Sequence, residues 1–213
     1  MNTDKATCEI QYGSVERPTH HNTSWDWAKF EVCAHKYVDV SETDYGVAVI
    51  NDCKYGHSLK DCNIGLTILK CATEPDPNAD IGNHVVNFAL YPHTGAVNTS
   101  NTANVAYIYN NPCYVVEALG GGNLPNEYSF ISCDKDNVVI DCVKQAEDDE
   151  NLIVRLYESK RIRTNATINF GFDVKKVYIT DMLENIEKEL DVVDNLVTLP
   201  VGTFEIITLK VIV

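Results

Sequence analysis

Basic residues are scarce in this chain. Only 17 Lys and Arg stand against 31 Asp and Glu among 213 residues, a formal net charge of −14. Affinity for nucleic acid rests on a dense Lys and Arg face that neutralises phosphates, so no nucleic-acid partner is expected. Long apolar runs are missing as well. No window approaches the roughly 18–20 consecutive apolar residues of a membrane span. Met1 to Lys5 is polar rather than a charged prelude to an apolar stretch. These absences predict a soluble, unsecreted, cytoplasmic chain with no membrane partner.

No C-x-x-C pair occurs among the eight cysteines, although Cys53, Cys62 and Cys71 are evenly spaced. Structural zinc is therefore not expected. Cys33 and Cys142 sit inside apolar stretches, which predicts buried reduced thiols rather than a disulfide framework. The histidines at 20, 21, 35, 57, 84 and 93 show no H-E-x-x-H or similar spacing, and neighbours such as His20 and His21 diverge on an extended chain. There is no G-x-S-x-G and no phosphate-binding loop. Gly120-Gly121-Gly122 lacks the Lys and helix that would make it one, and reads as a flexible turn. Asp148 and Asp149 are consecutive and would face opposite ways in a strand, so they read as a solvated turn. Asp39, Asp44 and Asp52 have more suggestive surroundings. A glycosidase pair, however, is defined by side-chain separation, which spacing along a β chain does not supply.

What is present is a globular composition, 45% hydrophobic and 23% charged. Short apolar alternations rich in β-branched and aromatic residues recur between turn residues, which is an all-β pattern. The expected strands are Lys29 to His35, Gly46 to Asn51, Ile64 to Cys71, His84 to Leu90, Val105 to Tyr109, Val138 to Val143, Leu152 to Glu158, Thr164 to Gly171, Lys176 to Thr180 and Phe204 to Val213. Met182, Leu183, Ile186 and Leu190 fall at near-helical spacing, and their short segment admits either an amphipathic helix or a β-hairpin. Clusters of Pro, Gly, Asn and Ser at Glu74 to Asn78, Asn98 to Thr102 and Gly120 to Pro125 read as loops. The acidic stretch from Glu147 to Asn151 is the expected boundary between a large unit, 1–147, and a small one, 148–213.

Side chains that suit sugars concentrate in the first third: Trp25, Asp26 and Trp27, then His35, Lys36 and Tyr37, then Asn51, Asp52, Lys54 and Tyr55. An aromatic face packs on the C–H face of a pyranose while carboxylate, amide and ammonium groups hold its hydroxyls. Trp25 and Trp27 serve equally well as plain core or as a wedge between domains. The residues alone leave these alternatives open.

The run Arg17-Pro-Thr-His-His-Asn-Thr-Ser-Trp-Asp is followed by Lys29-Phe-Glu-Val-Cys-Ala-His-Lys-Tyr-Val-Asp-Val-Ser-Glu and Tyr45-Gly-Val-Ala-Val-Ile-Asn-Asp-Cys-Lys-Tyr-Gly. Pro75-Asp-Pro, Asp80-Ile-Gly-Asn-His, Leu90-Tyr-Pro-His-Thr-Gly and Lys144-Gln-Ala-Glu-Asp-Asp-Glu-Asn-Leu-Ile-Val-Arg-Leu-Tyr-Glu continue in order. Together they closely resemble the C-terminal part of family 38 α-mannosidases of the cytosolic or bacterial type. Tyr37 stands where that family has Trp, and Ser159-Lys160-Arg161 replaces a Gly-containing turn. The resemblance implies a galactose-mutarotase-like β supersandwich followed by a small C-terminal β-sandwich unit, with Ile179 to Leu190 as strand, turn and strand.

It also implies that the chemistry, a retaining zinc-assisted hydrolysis of terminal α-mannosides, lies in an absent N-terminal catalytic domain that holds the zinc. That domain would be the partner of this chain, which itself carries no catalytic residue, metal or cofactor. By the same resemblance, Asn51, Asp52, Lys54 and Tyr55, with His35 and Lys36, are candidates for a loop walling the cleft for mannose-containing glycans. Asp52 would position Lys54 there, or the two would merely shape a turn. Trp25 and Trp27 are the domain-interface candidates. A stand-alone carbohydrate-binding module and a homo-oligomer interface are the competing readings.

Overall fold

Period-two alternation decides which face of each strand is buried, and it sorts the chain into paired sheets. The computed structural model describes every residue except Ala118, Leu119 and Leu124, so the expected turn at Gly120 to Pro125 falls partly outside the described residues. Two compact units result, Met1–Pro112 and Cys113–Val213. Among the described residues no helix is long and apolar enough to cross a membrane.

The first unit holds β1 (Lys5–Ile10), β2 (Gly13–Pro18), α1 (Ser24–Ala28), β3 (Val32–Cys33), β4 (Tyr37–Ser41), β5 (Tyr45–Asn51), β6 (Gly56–Lys60), β7 (Asn63–Leu66), β8 (Phe88–Thr94) and α2 (Thr102–Asn110). One antiparallel sheet runs β2-β1-β4-β5-β8 and a smaller one runs β3-β6-β7. Ala6, Cys8, Val38 and Val40 point from the large sheet onto Leu59, Val32 and Ile64 of the small one. Tyr37, Ala48 and Ile50 point the other way, onto Ala106 and Ala103 of α2. Burial pushes the Cys8 thiol up to about 11, against the opposing pull of Arg17, so it packs as a neutral side chain.

Inside that second face lies a polar tie. Asp39 of β4 and His93 of β8 are both buried, and Nε2 of the imidazole donates to Oδ2 at 2.6 Å. The strand between them, β5, presents Gly46 opposite His93. A Cβ there would sit 2.4 Å from Cε1 of His93 and 2.5 Å from Cβ of Ser41, so only glycine lets the ring pass over β5.

The second unit holds β9 (Ile131–Cys133), β10 (Val138–Gln145), β11 (Leu152–Glu158), β12 (Thr164–Phe170), β13 (Lys176–Thr180), β14 (Ile186–Leu190), β15 (Leu196–Val201) and β16 (Ile206–Ile212). Sheets β10-β11-β16-β13-β14 and β15-β12-β9 enclose a core of Val154, Leu156, Ile168, Val197, Leu199 and Leu209. Buried Glu158 fastens one end. It accepts from Nδ2 of Asn137 at 3.0 Å, from the Lys160 amide at 2.8 Å and from the Phe204 amide at 3.0 Å. Arg161 takes φ +62°, so the turn for which the resembling family has glycine keeps its left-handed backbone without one.

The all-β expectation holds, and the ambiguous segment at 181–190 is the β13–β14 hairpin. Elsewhere the structure corrects the sequence reading. Val105 to Tyr109 lies in α2, because Ala103, Ala106 and Tyr109 share one helical face against the sheet. A five-residue apolar run does not distinguish strand from helix by itself. The strand expected at Lys29 to His35 shrinks to β3, and the one at His84 to Leu90 lies four residues later as β8. The acidic stretch after Glu147 is the turn of the β10–β11 hairpin, and the chain divides instead at Pro112 and Cys113. All eight cysteines are free, but Cys33 is exposed and Cys142 only half-buried. A register shift between Ile140 and Cys142 inserts Asp141 and breaks the alternation that would have buried the thiol.

Gly46→Ala is expected to destabilise the first unit by about 1–3 kcal/mol through overpacking against His93. Gly122→Ala, with nothing within 4 Å of the new methyl, is the control and stays within about 0.5 kcal/mol. Urea denaturation midpoints of the two variants measure the difference.

Candidate functional site

The loop between β5 and β6 is built around one buried amide, Asn51. Its backbone N–H donates to Lys36 O at 3.1 Å, continuing the β5–β4 ladder past its last pair. Its side-chain Nδ2 donates to His35 O at 2.8 Å, while Oδ1 accepts from the Cys53 amide at 3.2 Å and the Lys54 amide at 2.6 Å. Nδ2 of Asn110, on α2, donates to the Asn51 carbonyl at 3.1 Å. An Asn side chain that accepts from the amides two and three residues on forms a self-supporting turn.

Around this anchor the structure brings together most of the residues expected to form a cleft wall. The rings of His35 and Tyr55 lie 5.0 Å apart at 56°. The Lys36 ammonium pairs with Glu9 Oε1 at 2.9 Å, and its amide donates to Oε2 of the same carboxylate at 2.8 Å. Asp52 is exposed and accepts from Nδ2 of Asn87 at 2.8 Å. Hydrogen bonds from the Cys53 thiol and then from Asn87 hold its carboxyl below the usual carboxylate range, and the Cys53 thiol is raised in return. The ammonium of Lys54 has no ion-pair or hydrogen-bond partner among the described residues. Asp52 is therefore steadied by Asn87 and Cys53, while Lys54 is placed through its backbone by Asn51. Glu9, Asn87 and Asn110 come from distant parts of the chain, and no local sequence signal links them to this loop.

Trp25 and Trp27 are placed elsewhere, on α1. Thr23 caps this five-residue helix: Oγ1 accepts from the Asp26 amide at 3.2 Å, and Asp26 Oδ2 accepts from the Thr23 amide at 3.0 Å. Two residues apart on a helix, the indoles point roughly 200° away from each other and cannot form one stacking platform. They are 77% and 64% exposed, with Phe30 exposed beside them in sequence. The ring of Trp27 lies 5.1 Å from that of His21. Zinc, which the family resemblance implies for the enzyme as a whole, finds no ligand set here. His20 Nδ1 approaches Asp26 Oδ2 at 3.5 Å, but among the described residues no three His, Cys, Asp or Glu side chains converge.

Under the same loop His57 is fully buried. Its Nδ1 lies 3.2 Å from Tyr55 O, and its Nε2 has no partner. A neutral ring whose Nδ1–H donates to that carbonyl leaves only the Nε2 lone pair unpaired, and desolvation lowers the pKa of the group.

Residues 1–78 match the family described as "Glycosyl hydrolases family 38 C-terminal domain", and residues 137–209 match "Glycosyl hydrolases family 38 C-terminal beta sandwich domain". Alpha-mannosidase G of Dictyostelium discoideum is 39% identical over 181 residues, which is 84% of this chain and 16% of that protein. Human alpha-mannosidase 2C1 is 35% identical over 217 residues, covering all of this chain and 21% of that protein. The alpha-mannosidase of Saccharomyces cerevisiae is 38% identical over 200 residues, 86% of this chain and 18% of that protein. The crystal structure of an alpha-mannosidase from Enterococcus faecalis V583 shares the fold, with a TM-score of 0.80 at 20% identity over 99% of this chain and 24% of that one. Sheet pairing and matches alike define a β region from the C-terminal end of a glycosyl hydrolase. The chain belongs to glycosyl hydrolase family 38, to the C-terminal region of its alpha-mannosidases, and it spans 16–21% of the length of these relatives.

Two outcomes follow from the charges in and under the loop. Asn87→Ala removes the Nδ2 donor to the Asp52 carboxylate and leaves the backbone amide in place, so the carboxyl pKa of Asp52 should move up part of the way toward its ordinary value, as read by carboxyl carbon NMR titration. For His57 the folded pKa lies below the unfolded one, so the unfolded state binds the extra proton. Stability from this group is complete above the ordinary value of 6.5 and is lost as pH falls below it. Chemical denaturation from pH 8 to pH 5 should show a fall in wild type that is shallower in His57→Phe.

Proposed function

We propose that this chain is the non-catalytic C-terminal β region of an alpha-mannosidase, acting to support the catalytic part and to supply the Asn51–Tyr55 loop to the wall of its sugar cleft. The observation that carries the reading is a Lys54 ammonium without a partner among the described residues, two residues from the exposed Asp52 carboxylate on a loop held in place by buried Asn51. Cations left unpaired on a rigid turn are suited to donate to hydroxyl oxygens, and a flanking carboxylate is suited to accept from them. Tyr55 adds an exposed ring beside His35. Exposed Trp25 and Trp27 are the proposed contact with the N-terminal part of the polypeptide, since large uncovered indoles favour a partner surface.

In this reading the catalytic groups, and the zinc that assists them, belong to that N-terminal part. The whole enzyme would hydrolyse terminal α-mannosides with retention. Eight free cysteines, four of them exposed, support a reducing, cytoplasmic setting. The diverging indoles on α1 speak against a stand-alone sugar-binding module.

The purified chain should release no aryl group from an aryl α-mannoside, with or without added zinc, and should give no detectable heat on titration with mannose or a mannobiose. Turnover would place the chemistry inside these residues and overturn the proposal. Binding heat without turnover would favour a free-standing carbohydrate-binding module.

A further inference from the structure

The large sheet of the first unit is covered on one face only in part. Along its strands one row runs Val15, Cys8, Val38, Val49, Leu90, each paired with the next across the register. The small sheet buries the β1 and β4 members of that face. Beyond β4 the cover thins: Val49 is still buried and Val47 half-buried, while Tyr45 on β5 and Phe88, Leu90 and Pro92 on β8 are exposed. Tyr45, Val47 and Val49 on β5 and Phe88, Leu90 and Pro92 on β8 continue the same apolar face, and Phe88 and Leu90 are 54% and 69% exposed. β8 is also the edge of its sheet. Its opposite face, with Ala89, Tyr91 and His93, is packed under α2 or buried, so the strand is firmly held with one side bare. Bare apolar rows on an ordered edge strand mark an interaction surface.

From this, and resting on the function proposed above, we infer that the β5–β8 face is a second docking surface, occupied by the N-terminal part of the same mannosidase polypeptide through an apolar strand or face of its own. Size argues for that occupant over a second copy. Free association takes about 20–30 residues a side, and this patch has a fraction of them. A tethered neighbour needs far less, because linkage raises its effective concentration to roughly millimolar. The relatives have the material to cover it, since about four-fifths of their length lies outside the matched region. Position argues for it too. The patch ends at the Asn51–Phe88 pair, where the Asp52 loop begins and Asn87 holds Asp52. Whatever covers Phe88 therefore lies alongside Asp52 and Lys54, so the same docking that completes the sheet face sets the far side of the cleft wall.

The test grafts this chain onto the S. cerevisiae alpha-mannosidase in place of its matching region and compares the graft with the isolated chain by hydroxyl-radical footprinting. Oxidation of Phe88 and Leu90 should fall roughly fivefold in the graft, as burial in an interface requires. Leu90→Asp should restore the oxidation of Phe88, whereas Val85→Asp, on an exposed residue outside β8, should not. In the isolated chain Leu90→Asp should leave the melting temperature within about 2 °C of wild type. Equal oxidation in graft and isolated chain overturns the inference, as does a large melting loss in the isolated variant, which would mean Leu90 is already covered. Protection of the isolated chain that fades on dilution assigns the face to a second copy and overturns it as well. Mannosidase turnover of the graft reports separately on the earlier proposal. An active graft with an unprotected β8 sinks this inference alone, and an inactive graft with a protected β8 upholds it while counting against the cleft-wall role.

Discussion

A buried amide side chain, Asn51, is the interaction on which the rest of the site depends. With three hydrogen bonds from that side chain and two from its own backbone, Asn51 joins the end of β5, the approach to β4, the turn to β6 and the last residue of α2. Each partner is a backbone group or another Asn, so no charge has to be desolvated to make the junction. Buried donors and acceptors left unpaired cost about 1–3 kcal/mol each, which makes such a hub all-or-none. Because Asn51 satisfies both the amide of Lys54 and the carbonyl of His35, the loop and the aromatic pair beside it hold one geometry. Of the charged groups at the tip, Asp52 then stays exposed under the hold of Asn87, and Lys54 stays half-buried with its backbone fixed by Asn51.

The polar groups in the two sheets serve a similar purpose by different means. Asp39 and His93 clamp β4 to β8 across a strand that carries only a hydrogen atom at Gly46. Glu158 draws three donors to one end of the second unit. Glu158 uses both of its oxygens, whereas Asp39 is tied through Oδ2 alone and its buried Oδ1 has no partner among the described residues; both carboxylates hold strands or turns that the apolar pattern alone would leave loosely in register. Apolar alternation supplies the drive to form sheets, and these few polar ties choose which strands end up neighbours.

Much of the β architecture is legible in local pattern. Strands with strong alternation, such as Leu152–Glu158, Thr164–Phe170 and Lys176–Thr180, are found close to where the pattern places them. Gly13–Pro18 and Gly56–Lys60 were invisible, because charged or small residues on their outer faces interrupt the apolar signal. Val105 to Tyr109 misled because a β-branched residue beside an aromatic satisfies strand propensity, while Ala103 and Ala106 allow the close helix-on-sheet approach that settles the matter. At the site the contiguous run from Asn51 to Tyr55 could be singled out from its side-chain chemistry. Glu9, Asn87 and Asn110 could not, since their roles arise from backbone groups that only pairing brings near.

The sequence by itself determined that this is a β protein without a membrane helix, without metal-ligand spacing and akin to the end of a family 38 enzyme, because composition, periodicity and short motifs are local properties. Tertiary structure alone decided that Asp52 is steadied by Asn87 rather than by Lys54, that Trp25 and Trp27 diverge, and that the apolar row ends uncovered at Leu90. Those outcomes depend on which strands share a sheet and in what register, and register is set by contacts between residues tens of positions apart.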